Sequence, residues 1–60
     1  MRWEYSVASF WDGKVHMAGG KEQKMGEEEY LNQMGADGWE LVTVQGDRIS
    51  VSVYFKRPKP

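Results

Sequence analysis

Residues 3–17 read WEYSVASFWDGKVHM, and this stretch decides the fold because it predicts a β-hairpin. Its first part, residues 3–11, alternates with the period of two that is typical of a strand. Asp12-Gly13 then separates it from a second β-prone run. An Asp-Gly pair in this setting is the strongest short-range hairpin signal, since both turn positions need positive φ angles. The predicted cross-strand pairs are Trp11 with Lys14, Phe10 with Val15 and Ser9 with His16.

A second hairpin is predicted near the C-terminus. Residues 39–44 carry apolar side chains on both faces of a strand, and residues 49–55 alternate without a break. Gly46-Asp47 lies between them and predicts a two-residue turn with Gly in the first position, as a type II′ turn prefers. The alternation predicts four side chains that face the core: Ile49, Val51, Val53 and Phe55.

The chain between the two hairpins changes to a helical pattern, which we place over residues 22–34. Tyr30, Leu31 and Met34 share one face at spacings of three and four. The three consecutive Glu residues at 27–29 suit the positive end of the helix dipole. Gly35 is predicted to close the helix in a left-handed conformation. Gly26 weakens the early part, which leaves the first residue of the helix open.

These elements predict an α+β fold with the order β-β-α-β-β and a single domain over residues 1–60. The sheet is expected to be small, mainly antiparallel and of three to four strands, with one helix packed on one face. Residues 3–11 are expected to form a central strand beside the C-terminal hairpin, because their apolar positions suit burial.

Composition limits the class of protein. The 60 residues include no Cys, which excludes a disulfide framework and a thiolate zinc site. No apolar run has the length of a membrane span and no secretory leader opens the chain, so we expect a cytoplasmic protein. We also expect the protein to need no cofactor. The formal net charge of −1 argues against a dedicated nucleic-acid binder. Because a domain this small buries little surface, an aromatic core or oligomerisation is expected to stabilise it.

Three motifs resemble one known family. They are WEYSV at residues 3–7, LNQMGADGWELV at residues 31–42 and FKRP at residues 55–58. In this order they are similar to the small bacterial and phage proteins of the family called domain of unknown function 4177. Met34 departs from that family's more frequent Leu, and Gly19-Gly20 falls in a variable region. The resemblance implies a compact α+β module and brings no established activity.

Catalytic candidates are few, and we expect the protein not to be an enzyme. The lone His16 has only Ser9 as a predicted neighbour, without a carboxylate to orient it, and we interpret it as an ordinary strand residue. The Glu residues at 27–29 point about 100° apart and cannot converge on one metal ion. Gly19-Gly20 lacks the rest of a phosphate-binding motif, so it is either a connector or a binding loop.

The sheet face away from the helix is expected to mediate self-association. We expect Trp3, Tyr5, Tyr30, Trp39 and Phe55 to fill the core, which leaves Phe10, Trp11 and Tyr54 for a partner. Small residues with aromatic residues and valines around them suit the packing of a second sheet. The predicted oligomer contact consists of Ser6, Ala8, Phe10, Val42, Val44, Ser50, Ser52 and Tyr54.

Two alternative functions follow from the charge distribution. Residues 22–40 contain six acids and one Lys, and residues 48–60 contain four basic residues and no acid. The first alternative is an oligomer that binds a small anionic, nucleotide-like ligand at subunit junctions. Its candidate ligand residues are Trp11, Lys14, His16, Arg48, Tyr54 and Arg57. The second is weak nucleic-acid binding through the basic C-terminal strand. The leading hypothesis remains a non-enzymatic, self-associating binding module.

Overall fold

The computed structural model describes residues 2–59 and confirms an α+β fold with one helix and an antiparallel sheet. The sheet has five strands, which is more than the predicted three to four. In chain order the elements are β1 (Arg2–Trp11), β2 (Lys14–Met17), a 3₁₀ turn (Ala18–Gly20), β3 (Glu22–Gln23), α1 (Glu27–Ala36), β4 (Glu40–Gly46) and β5 (Val51–Lys59). No helix within residues 2–59 is long and apolar enough to cross a membrane.

The N-terminal hairpin has the predicted register. Trp11 pairs with Lys14 and Phe10 with Val15. The φ angles of Asp12 and Gly13 are 56° and 70°, so both turn positions are left-handed, as a type I′ turn requires. The Asp-Gly signal therefore fixed both the turn and the pairing.

The strand order is β3-β2-β1-β5-β4, and the prediction that the first strand lies centrally beside the C-terminal hairpin is confirmed. β1 pairs antiparallel with β5 from Arg2–Lys59 to Phe10–Val51. The short β2 and β3 form one side of the sheet, and β4 forms the opposite edge.

The helix begins later than predicted. Residues 22–34 were expected to be helical, whereas Glu22 and Gln23 form β3 and pair with β2. Gly26 has extended dihedral angles and is the residue before α1, so the first helical turn carries the three Glu residues as expected. Backbone pairing with β2 thus takes precedence over the weak helical pattern before Gly26.

Gly38, rather than the predicted Gly35, closes the helix. Gly35 is helical, and Gly38 has a φ of 88°. The Gly38 N–H donates to the Gly35 carbonyl and the Trp39 N–H to the Met34 carbonyl, both at 3.0 Å. This pair of bonds is a Schellman motif, which requires the left-handed residue one position after the C-cap Asp37. It directs Trp39 back against the core.

The turn between β4 and β5 also differs from its prediction. The loop has four residues, 47–50, instead of a two-residue Gly46-Asp47 turn, and Gly46 pairs with Val51. The Asp47 carboxylate accepts bonds from the Ile49 and Ser50 N–H groups at 2.8 and 3.1 Å. Ile49 is therefore at the loop tip and 82% exposed, and its predicted place in the core is wrong.

The core lies between α1 and one face of the sheet. Tyr30 of the helix packs edge-on against Phe10 and Phe55, with ring centroids 5.6 and 6.0 Å away. Val51, Val53 and Phe55 face this core as predicted. The helix therefore covers the centre of the sheet, where β2, β1 and β5 meet.

The predicted faces of β1 are reversed. Ala8 and Phe10, expected on the outside, are 2% and 7% exposed in the core, whereas Trp3 and Tyr5, expected inside, are exposed. Opposed residues of an antiparallel pair lie on the same face. Since Ala8 pairs with Val53 and Phe10 with Val51, the clear alternation of β5 determines the buried face of β1. The alternation of β1 alone is ambiguous because both of its faces carry aromatic residues.

Candidate functional site

The face of the sheet away from α1, here called the outer face, has no covering layer within residues 2–59. The odd-numbered residues of β1 lie on it, because the even-numbered ones face the core. Its large exposed side chains belong mostly to this one strand: Trp3, Tyr5, Val7 and Trp11, of which Tyr5 is 68% exposed. An apolar row of this kind, interrupted only by Ser9 between Val7 and Trp11, is uncommon on a monomer surface and indicates a contact site.

The centre of the outer face combines these residues with small polar ones of β5. Val7 lies opposite Tyr54, and Ser9 lies opposite Ser52. The two hydroxyl oxygens are 2.9 Å apart and form a hydrogen bond. Because these hydroxyls bind each other, the middle of the face has little unsatisfied polarity.

Ion pairs lie around this centre. Lys56 Nζ is 4.4 Å from the centroid of the Trp3 ring and 3.7 Å from Glu40 Oε2. At the opposite margin Lys14 Nζ is 3.3 Å from Glu22 Oε1. All four groups are partly or largely exposed, so each pair contributes little to the free energy of folding. They border the aromatic row with charges of both signs.

His16 is held by its neighbours on this face. Its ring stacks on Trp11 with centroids 3.7 Å apart and planes 8° apart. His16 Nε2 is 3.3 Å from the Trp11 carbonyl oxygen, and Nδ1 is 3.4 Å from Glu22 Oε2. Ser9 lies opposite His16 as predicted, but its hydroxyl bonds to Ser52. Ser9 therefore forms no hydrogen bond with His16, whose ring is held by Trp11 and Glu22.

A cleft of about 690 Å³ opens at the end of the sheet where the two hairpin turns and the start of α1 meet. It brings together three of the six predicted ligand residues: Trp11, Lys14 and Arg48. His16, Tyr54 and Arg57 do not line it. The charged groups of the lining are mixed, with the cations Lys14, Lys24 and Arg48 and the acids Asp12, Glu27, Glu29 and Asp47. This mixture does not favour an anion.

Arg57 has a different place from the one predicted for a ligand residue. It lies on the core side of the sheet, where its guanidinium donates to Glu4 and, at 3.0 Å, to the Asp37 carbonyl. Its Cζ is 4.3 Å from the centroid of the Trp39 ring. Arg57 thus ties β5 and β1 to the end of the helix. Since Lys56 and Arg57 lie on opposite faces, the basic strand does not present a single cationic patch.

The predicted oligomer residues are divided between several surfaces. Ser52 and Tyr54 lie on the outer face, as expected. Ser6, Ala8 and Phe10 face the helix side, and Val44 does so as well because it pairs with Val53. Val42 lies in the bulge of β4, and Ser50 lies in the loop before β5. The placement of these residues on one outer surface is therefore wrong except for Ser52 and Tyr54.

Sequence reasoning missed the principal residues of the outer face: it assigned Trp3 and Tyr5 to the core side and did not single out Val7. Ala8 and Phe10 match the pattern of β5 only once the two strands are aligned. Neither their spacing nor their composition supplies that alignment, since the β1–β5 register is set by tertiary contacts.

Within residues 2–59 there is no group of three side chains that could hold a metal ion. No fully buried side-chain nitrogen or oxygen in this part of the chain lacks a hydrogen-bond partner. The pKa of Asp47 is lowered by the backbone N–H groups of Ile49 and Ser50, and burial raises the pKa of Tyr30. Both shifts have a structural cause in the loop and the core.

Comparison with curated proteins and with solved structures finds no match. The model of one protein family, described as a domain of unknown function (DUF4177), matches residues 3–59. The match covers both hairpins, the helix and all three motifs noted in the sequence, and so extends over nearly the whole chain. The chain therefore belongs to the DUF4177 family.

Proposed function

We propose that this protein is a non-catalytic binding module that self-associates, with a second copy covering the outer face of its sheet. The observation that carries the proposal is the row of exposed aromatic and apolar side chains on β1, a central strand. Central strands of a sheet are ordinarily covered on both faces or polar on one. Here the uncovered face is the more aromatic one.

The size of the outer face suits a dimer. The strands have ten, four, two, seven and nine residues. At roughly 16 Å² of projected area per residue they present on the order of 500 Å², before the relief of the side chains is added. Specific interfaces bury about 600–1,000 Å² on each partner. The two areas are of the same order.

The arrangement of side chains also suits an interface. Stable contacts have an apolar, aromatic centre and a polar rim that remains hydrated. Tyr5, Val7 and Tyr54 form the apolar centre. Lys56 lies directly opposite Tyr5 and is paired with Glu40 of the edge strand β4, and the Lys14–Glu22 pair lies towards the other edge of the sheet. Two such faces can meet at their centres without burying an unpaired charge.

The non-catalytic part of the proposal rests on how the polar groups are used. General acid–base catalysis needs a base within reach of the proton that it removes. His16 is stacked on Trp11 and lies beside Glu22, and the hydroxyls of Ser9 and Ser52 bind each other. These groups stabilise the sheet, and they do not converge on a point where a substrate atom could react.

The experiment is a comparison of molar mass by light scattering at micromolar chain concentration. We expect wild-type protein to have a mass above one chain, and Tyr5→Lys to lower it by placing a charge in the middle of the contact. Ile49→Lys is the matched control, because Ile49 is even more exposed but lies on the loop tip. It should retain the wild-type mass. A wild-type mass of one chain, or an equal loss in both variants, would contradict the proposal.

A further inference from the structure

The two edges of the sheet differ in how they are protected. β3 has only two residues, and Lys21 and Lys24 flank it. β4 has seven residues, all of them exposed, and its outer edge has no neighbouring strand within residues 2–59. Exposed edge strands offer unpaired N–H and C=O groups to another strand, and proteins usually block them with charges, Pro or short length.

The residues of β4 do not provide such a block along most of the strand. Leu41, Val42 and Val44 are exposed apolar residues, and the only charged residue of β4 is Glu40 at its start. A bulge between Leu41 and Thr43 distorts the first half. From Thr43 to Gly46 the pairing with β5 is regular, so this half remains a straight template for a further strand.

We infer that β4 pairs antiparallel with β4 of a second copy around a two-fold axis at Val44. The product is one continuous sheet with five strands from each copy. This contact uses a different surface from the outer face and goes beyond the proposed function.

A second copy fits this edge because the strand is complementary to itself. With the axis at Val44, Thr43 of each copy lies opposite Gln45 of the other, and the two Val44 side chains meet. Opposed residues share a face, so both helices remain on the same side of the combined sheet. The same operation brings Glu40 of each copy towards the loop of the other that carries the exposed Arg48. The Asp47 carboxylate in that loop already accepts two bonds from its own backbone, and Glu40 is 70% exposed in its pair with Lys56, so Glu40 can add Arg48 of the other copy as a second partner.

The test combines one variant for each surface and measures molar mass by light scattering at micromolar concentration. Val44→Lys puts two ammonium groups on the axis, whereas Tyr5→Lys affects only the outer face. With both contacts present we expect a wild-type mass of four chains, a mass of two chains for each single variant, and one chain for the double variant. Ile49→Lys is again the control and should leave the mass unchanged.

The outcomes separate the edge contact from the face contact. A wild-type mass of one chain overturns both contacts. If the wild-type mass exceeds one chain and either Tyr5→Lys alone yields single chains or Val44→Lys leaves the wild-type mass, the edge pairing is overturned and the face contact stands. If Val44→Lys yields single chains and Tyr5→Lys keeps two, the edge pairing stands and the face contact fails. Arg48→Glu serves as a second edge variant, since it places like charges beside Glu40 without changing β4 itself, and it should weaken the edge dimer at least several-fold.

Amide hydrogen exchange of the Tyr5→Lys protein gives an independent readout. In a single chain the outward N–H groups of Thr43–Gly46 are open to water and exchange fast. Edge pairing protects these N–H groups, and the protection should increase with chain concentration. It should disappear in the protein that carries both Tyr5→Lys and Val44→Lys. Fast exchange of these amides at every concentration overturns the inference.

Discussion

The two faces of the central strand β1 carry similar chemistry but have different surroundings. The core side holds Ala8 and Phe10 beneath Tyr30 of the helix, and the outer side holds Trp3, Tyr5 and Trp11, which no layer formed by the described residues 2–59 covers. The aromatic side chains on the outer side are at least as large as those in the core. Hydrophobic content alone therefore does not determine which face is buried; the pairing with β5 and the position of the helix do.

The difference has an energetic consequence. A side chain in the core stabilises the single chain, and its contribution does not depend on protein concentration. A side chain on the outer face gains burial only when another molecule covers it, so its contribution follows mass action. Concentration dependence is thus the property that distinguishes the two faces.

The largest expected effect is that of Phe55→Ala, on the core side. Removing a buried Phe costs about 3–5 kcal/mol, and a 60-residue domain has a free energy of unfolding of about 3–9 kcal/mol. Urea unfolding followed by circular dichroism should show loss of most or all of the folded population at every chain concentration. Tyr5→Ala, the outer-face counterpart, should remove only the part of the stability that rises with concentration. Equal, concentration-independent losses in the two variants would mean that the faces are not distinct.

A smaller effect is expected at the end of the helix that covers the core side. Gly38→Ala forces a side chain into a left-handed conformation and should lower the free energy of unfolding by about 1–2 kcal/mol. Gly35→Ala is the control, because Gly35 is helical and a Cβ there meets nothing within 4 Å. It should stabilise the chain by up to about 1 kcal/mol. Thermal unfolding should therefore shift in opposite directions for the two variants.

The neighbouring residues Arg57 and Lys56 lie on opposite faces of β5, so the effects of substituting each of them on stability compare the two faces. Arg57 contacts Glu4, the Asp37 carbonyl and the Trp39 ring on the core side. We expect Arg57→Ala to cost about 1 kcal/mol, since three partly exposed contacts are lost together. Lys56→Ala should cost less than about 0.5 kcal/mol, because Lys56 has one ion pair, 3.7 Å long and to the largely exposed Glu40, beside its contact with the exposed Trp3 ring. Urea midpoints measured at the lowest practical protein concentration give the comparison. A larger loss of stability for Lys56→Ala than for Arg57→Ala would contradict these roles.

The smallest effect concerns Asp47, in a loop that belongs to neither face. Its folded-state pKa is lowered by two backbone hydrogen bonds. The contribution of Asp47 to stability is therefore complete above its unfolded pKa of about 4 and is lost as the pH falls through the lower folded value. Asp47→Asn can accept the same bonds without a charge and should remove this part of the acid dependence. Thermal midpoints of the wild type and of Asp47→Asn, measured between neutral pH and a pH of about 3, test this contribution of Asp47. If the two midpoints fall in parallel as the pH is lowered, the contribution is excluded.

Much of the fold could be predicted from local signals. Asp12-Gly13 fixes a turn and the register of one hairpin, and the alternation of residues 51–55 identifies a buried face. These features depend on backbone sterics and on a period that one strand displays by itself. The helix was placed correctly in its second half, where Tyr30, Leu31 and Met34 form one stripe.

The remaining features depend on contacts between distant segments. Glu22 and Gln23 form a strand because they pair with β2. Gly38 rather than Gly35 ends the helix, and the chain after Gly38 packs Trp39 against the core. The outer face was assigned to the wrong residues because β1 has two aromatic faces and only its pairing with β5 distinguishes them. The candidate site was thus predictable as a surface of the sheet but not residue by residue.

The most direct test of the outer-face contact is a filtered nuclear Overhauser experiment on a mixture of isotope-labelled and unlabelled chains. Such an experiment detects only contacts between different molecules. We expect intermolecular signals from the Val7 methyl groups to Trp and Tyr ring protons. Absence of any intermolecular signal from Val7 in a sample with a mass above one chain would contradict it.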